Sequence, residues 1–236
     1  RERADISDIM KQLHEVIDES ITVTPAKSKE PNKPFDISKI DFNRLRSEFV
    51  RAKTKNTTVQ ILKCMIEEKL ERLIQSNPLR TNFQEHYEKI IYEYNKEKDR
   101  QNIETTFEEL LKFVQELDEE ENRAVREGLD EETLAIYDLL LKPDLTAKDI
   151  QKIKKVAKEL LETLKDKLKN LYKWQDKEPT RDEVKVLIRN FLWDEKTGLP
   201  VDFYTQADVE RKSEEVFYHV YRAYPTVPSP YYAAAG

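Results

Sequence analysis

Carboxylates are the most abundant groups in this chain that could do chemistry. Between Glu104 and Asp138 stand thirteen acidic residues, with Glu119, Glu120 and Glu121 consecutive, against only Lys112, Arg123 and Arg126. Such a density invites general acid/base or metal chemistry. A catalytic carboxylate, however, needs burial or a partner to move its pKa, and acidic runs on a helix face are ordinarily solvated. No catalytic residue is assigned, and the stretch is expected to repel nucleic acid. The histidines His14, His86 and His219 lie far apart and Cys64 is the single cysteine, so no zinc-ligand spacing occurs. Cys64, one turn from Leu62 and Ile66, is expected in the core rather than as a reactive thiol. With Gly128, Gly198 and Gly236 as its only glycines, the chain has no glycine-rich loop to cradle a phosphate.

The basic counterpart lies between Lys148 and Lys173, where nine lysines face Asp149, Glu159, Glu162 and Asp166. Lys152, Lys154, Lys155, Lys158, Lys165, Lys169 and Lys173 form a candidate contact surface for DNA or a partner, since each lysine that displaces a counterion adds sequence-independent affinity. Two features oppose the DNA reading: the chain carries a net charge of −6, and arginine, the residue of bidentate readout, is missing from this segment. Tyr87, Tyr92 and Tyr94, among Lys89, Lys96, Lys98 and Arg100, could stack bases, yet Tyr87 and Tyr94 stand one heptad apart and read as core, leaving Tyr92 for the surface. Trp174 and Trp193 are candidate anchors, either for the core or for a partner.

The elements that must position these groups are helical. Apolar residues recur at helical spacing in Ile66, Leu70, Leu73 and Ile74, then, beyond the turn at Asn77 and Pro78, in Phe83, Tyr87, Ile90, Ile91 and Tyr94. Further stripes run through Ile103, Phe107, Leu110, Leu111, Val114 and Leu117, through Leu134 to Leu141, and along a long helix from Thr146 to Tyr172. Helices are also predicted near Thr180 to Asp194 and Thr205 to Tyr224. Five cap pairs mark helix starts: Thr57 with Gln60, Asn82 with Glu85, Thr146 with Asp149, Thr180 with Glu183, and Thr205 with Asp208. No segment alternates as a strand does. The expected fold is all-α, a multi-helix bundle of about eight or nine helices.

Hydrophobic residues make up 38% and charged residues 37% of the 236, which fits helices with a narrow apolar stripe and a wide charged face. Residues 1–21 are expected to hold an N-terminal helix, from about Ile6 to Ser20, continuing from an upstream domain, as an opening on Arg1 rather than Met also suggests. Residues 22–35, with Pro25, Pro31 and Pro34, read as a flexible linker. Residues 36–224 form the expected helical domain and 225–236 a frayed tail. No apolar run approaches a membrane span, and the single cysteine fits a reducing cytoplasm.

Four stretches carry a family likeness. FDISKIDFNRLRSEFVRAKTKNT (Phe35 to Thr57), the Ile66 to Arg100 block, FEELLKFVQELDEEENRAVREGLDEETLAIYDLLL (Phe107 to Leu141) and VKVLIRNFLWDE (Val184 to Glu195) resemble the C-terminal helical region of the motor and endonuclease subunit of type I restriction-modification enzymes. The resemblance implies a bacterial, cytoplasmic, all-helical module, not itself catalytic, that docks an ATP-dependent DNA translocase and endonuclease onto the methyltransferase core. Implied partners are the methyltransferase and specificity subunits and the upstream motor domains of the same chain. ATP and magnesium would bind in those upstream domains, leaving this segment with no cofactor, metal or catalytic residue of its own. The alternative reading is a DNA-contacting clamp built on residues 148–173.

Overall fold

The computed structural model describes residues 42–51, 55–96 and 100–232. The expected helix from Ile6 to Ser20, the proline-rich linker and the last residues, 233–236, lie outside them. Among the described residues there are nine α-helices and no strand, so the fold is all-α.

The chain divides into two units, Arg1–Met65 and Ile66–Gly236. In the first, α1 (Phe42–Arg51) and the opening turns of α2 (Lys55–Ser76) bury Phe49, Val59, Ile61 and Leu62. The Lys55 ammonium stands 5.2 Å above the Phe49 ring. Cys64 is exposed, contrary to the core position expected of it. Its neighbours Leu62 and Ile66 are both buried, and at about 100° per residue two positions either way place Cys64 on the opposite side of the helix.

In the second unit, α2 ends at Asn77, whose side chain accepts from the Leu79 amide and caps a 3-10 turn, Pro78–Arg80. Then follow α3 (Thr81–Lys96), α4 (Arg100–Glu121), the short α5 (Arg123–Glu127), α6 (Glu131–Leu140), α7 (Ala147–Lys169), α8 (Glu178–Trp193) and α9 (Gln206–Ala223). α3 packs on α4, burying Tyr87, Ile90 and Tyr94 against its apolar stripe, while Tyr92 stays exposed as expected. Phe113 of α4 sits at the centre of that contact, stacked on Tyr87 at 5.9 Å and edge-on to His86 at 5.1 Å.

The larger core lies among α6, α7, α8 and α9. Leu134, Ile136 and Leu140 meet Ile153, Val156, Leu160 and Leu164, all buried, each worth about 1.5–3 kcal/mol on removal from water. Asp130 caps α6, and Thr146 with Asp149 and Thr205 with Asp208 form the expected capping boxes of α7 and α9. The other three pairs fall inside helices. Pro78 and Pro179 supply prearranged first-turn residues upstream of Asn82 and Thr180, and α2 is already helical at Lys55.

α5 ends in Gly128, whose φ of 69° is the left-handed conformation that closes a helix most cheaply without a Cβ. The tail expected to fray is packed as far as Tyr232. Tyr224 and Ser229 are buried, the Tyr224 hydroxyl donates to Glu132, and the Tyr232 hydroxyl donates to the Ser76 carbonyl. Proline-rich composition did not prevent packing, because the aromatic residues on either side supply apolar area and a hydroxyl that finds a partner.

Candidate functional site

Three places on the second unit concentrate polar or exposed groups. The first is the junction around the 3-10 turn. Arg80, only 2% exposed, donates to Glu120 at 2.8 Å, to Glu131 at 2.9 Å and to the Ser76 hydroxyl at 2.8 Å. Arg123 donates to Glu120 at 3.0 Å and, through both terminal nitrogens, to Asp138. Asp138 also accepts from the fully buried Asn77 at 2.6 Å, which joins the turn, α4, α5 and α6 through one hydrogen-bonded network. Lys69, 3% exposed, reaches Glu121 at 2.6 Å and Asp118 at 3.7 Å.

The electrostatics match the geometry. Burial works against the charged form of Arg80, but the hydrogen bonds and negative charges of Glu131 and Glu120 outweigh it and raise its pKa. The bond to Asp138 raises that of Arg123. Every buried side-chain nitrogen or oxygen among the described residues has a partner. Each of these carboxylates is held by a cation, an arrangement that fixes helices in register. The acidic stretch expected to be a solvated face thus turns much of its charge inward. Among the described residues, no group of three or more His, Cys, Asp or Glu is arranged to hold a metal ion.

The second place is α7, whose lysines have divergent fates. Lys154 donates to the Glu127 carbonyl at 2.8 Å, pairs with the Glu127 carboxylate at 2.8 Å and thereby lowers its pKa. Lys165 pairs with Glu132 at 2.7 Å, and Lys169 with Asp166 of its own helix at 3.1 Å. Lys173 lies past the helix end, 5.6 Å above the Tyr172 ring. Lys155 is 74% exposed with Glu159 at 3.6 Å; Lys158 is exposed and Lys152 half-buried. The seven candidates therefore do not form one surface.

The third place is the end of α8. Trp174 and Trp193 separate clearly: Trp174 is 2% exposed, its indole donating to the Tyr224 carbonyl at 2.8 Å and its ring edge-on to Phe217 and Tyr221, whereas Trp193 is 54% exposed. Beyond Trp193, the Asp194 carboxylate accepts from the Lys196 and Thr197 amides at 2.9 and 2.8 Å and from the Thr197 hydroxyl at 3.0 Å, which lowers its pKa. Gly198 follows because a Cβ there would run into the Leu192 and Asp194 carbonyls. The loop is pinned at its far end by the Tyr204 hydroxyl, which donates to the Leu140 carbonyl at 2.7 Å. It leaves Val201 at 69% and Phe203 at 39% exposure.

The model of one family, described as type I restriction enzyme HindI endonuclease subunit-like, C-terminal, matches residues 1–219. The chain belongs to this family. No curated protein and no solved structure matches it. The resemblance read from the sequence is thereby established at the level of the endonuclease subunit's C-terminal domain, and the all-helical fold agrees with it. Among the described residues of this restriction-subunit domain no helix is long and apolar enough to cross a membrane.

Sequence reasoning missed the charge junction of this type I C-terminal domain, although one signal was present. Lys69 stands three residues after Ile66 and four before Leu73, so helical periodicity puts it on the apolar face. A basic residue there demands an acidic partner. Arg80 gave no such signal, because its partners are 40 and 51 residues away.

Proposed function

We propose that this domain is the assembly module of a type I restriction endonuclease subunit, docking the ATP-dependent translocase and nuclease of its parent onto the methyltransferase core, and that it carries no catalytic group of its own. The observation that supports this reading best is the pairing of a satisfied interior with an outward-facing Trp193. The charged groups of the junction are held by one another, whereas the largest exposed side chain, Trp193, stands on a helix end secured by Asp194 and Gly198. A rigid, half-exposed tryptophan is the residue type that dominates binding energy at protein interfaces, because it buries a large area at small entropic cost.

The test is co-purification of the domain with the methyltransferase core. Capture of the core by the domain, together with failure of the complex to assemble when the domain is deleted from the full subunit, is the expected outcome. Normal assembly without the domain contradicts the reading. Calorimetric titration with ATP and magnesium is expected to give only heats of dilution, and binding heat would reopen the assignment of nucleotide chemistry to upstream domains.

A further inference from the structure

Lys154, Lys165 and Lys167 are tied to carboxylates of other helices, and the lysines of the first turns of α7 that are not so tied lie together. Lys148, Lys152 and Lys155 recur at i, i+4 and i+7, on one side of the first turns of the helix, with Lys158 flanking them. Lys148, Lys155 and Lys158 are exposed and Lys152 is half-buried. Among the described residues the one carboxylate paired with any of the four is Glu159, 3.6 Å from Lys155. The opposite side of the same turns, with Ile153, Val156 and Ala157, is buried in the core, so the row cannot turn inward. At 1.5 Å per residue Lys148 and Lys158 are about 15 Å apart along the axis. Beyond them the same face becomes mixed with Glu159, Glu162 and Asp166, which gives the basic patch an end.

We propose that this row is a contact for the phosphate backbone of double-stranded DNA, independent of base sequence and separate from the docking surface. Two observations select a duplex over an acidic protein. The exposed residues of these turns, Ala147, Lys148, Gln151, Lys155 and Lys158, include no aromatic or large apolar side chain, which the centre of a protein interface requires and a phosphate contact does not. The chain also belongs to an endonuclease subunit family, whose parent enzyme acts on DNA. The Lys-to-phosphate contact needs only positive charge within reach of the backbone, and flexible lysine stems provide it without a fixed geometry.

The full chain, binding a labelled duplex of about 20 base pairs, is expected to lose about 40-fold in affinity between roughly 50 and 200 mM salt, the slope of about three neutralised phosphates. Replacing Lys148, Lys152, Lys155 and Lys158 by alanine, the best helix former, keeps the fold by circular dichroism and flattens that slope to about one phosphate or less. A control with the same charge change elsewhere, Lys89, Lys112, Lys177 and Lys196 to alanine, leaves the slope in place. The proposal is overturned if the unaltered chain shows no salt-dependent binding at about 50 mM salt, or if the control variant loses as much as the α7 variant. It is equally overturned if the α7 variant binds DNA unchanged but fails to capture the methyltransferase core, which would make the row a protein surface.

Discussion

The junction at Arg80 and the loop after Trp193 use similar devices to opposite ends. Both are built on a turn with a side-chain cap, Asn77 in one and Asp194 in the other, and both hold their backbone through hydrogen bonds. At the junction the polar groups point inward and saturate one another, while at the loop the Asp194 carboxylate is spent on the backbone and Trp193, Val201 and Phe203 point outward. The difference separates what the molecule needs in order to fold from what it has left for a partner. Damage to the junction should therefore cost stability, and removal of the outward side chains at the loop should cost binding alone.

The largest effect is expected at Arg80. Arg80→Leu leaves Glu131 half-buried without its guanidinium and should lower unfolding stability in urea by about 3–5 kcal/mol. A loss below about 1 kcal/mol, the level of an exposed pair, would remove the contrast on which the comparison rests.

Next is the pH dependence contributed by His219. Burial in the core, with a smaller contribution from Arg222, pushes its pKa down from 6.5 to about 4. The folded state holds the neutral ring, so the unfolded chain binds the extra proton as pH falls. The stability contributed is fully present above about pH 6.5 and lost as pH falls towards 4, on the order of 3 kcal/mol in all. His219→Gln should flatten the stability profile between about pH 6.5 and 4.5, above most of the carboxylate titration range. An unchanged slope would show that the histidine is solvated.

A smaller loss, about 1–3 kcal/mol, is expected for Tyr232→Phe, which leaves the Ser76 carbonyl and the His219 ring without the phenol that joins them. A stability change near zero would mean that the tail beyond the family match lies loosely on the core. The smallest effect belongs to the outer lysines of α7: Lys148→Ala and Lys158→Ala should each fall within about 0.5 kcal/mol of the parent, as solvated positions do.

Much of this was legible in the sequence, and the failures share a cause. The stripes of α3, α4 and α7 and the caps at Thr146 and Thr205 were readable because each depends on residues within a turn or two of one another. The inward lysines Lys154 and Lys165 were not, since their partners Glu127 and Glu132 come from other elements 27 and 33 residues away. Charge count treats Lys154 and Lys155 as equals, although one is 15% and the other 74% exposed. The two tryptophans pose the same problem: helix periodicity allowed either to be core, and only the packing of Phe217 and Tyr221 of α9 on Trp174, in the turn after α7, separates it from Trp193. The tail misled for a different reason, its prolines concealing the aromatic anchor Tyr232.

The claim that folding and docking are divided between these two regions is tested most directly by titrating the methyltransferase core with the chain and its Trp193→Ala variant. The variant is expected to unfold within about 0.5 kcal/mol of the parent while binding the core roughly 30-fold or more weakly, the loss of a 2 kcal/mol interface anchor. Equal affinity for the core, at equal stability, would contradict it.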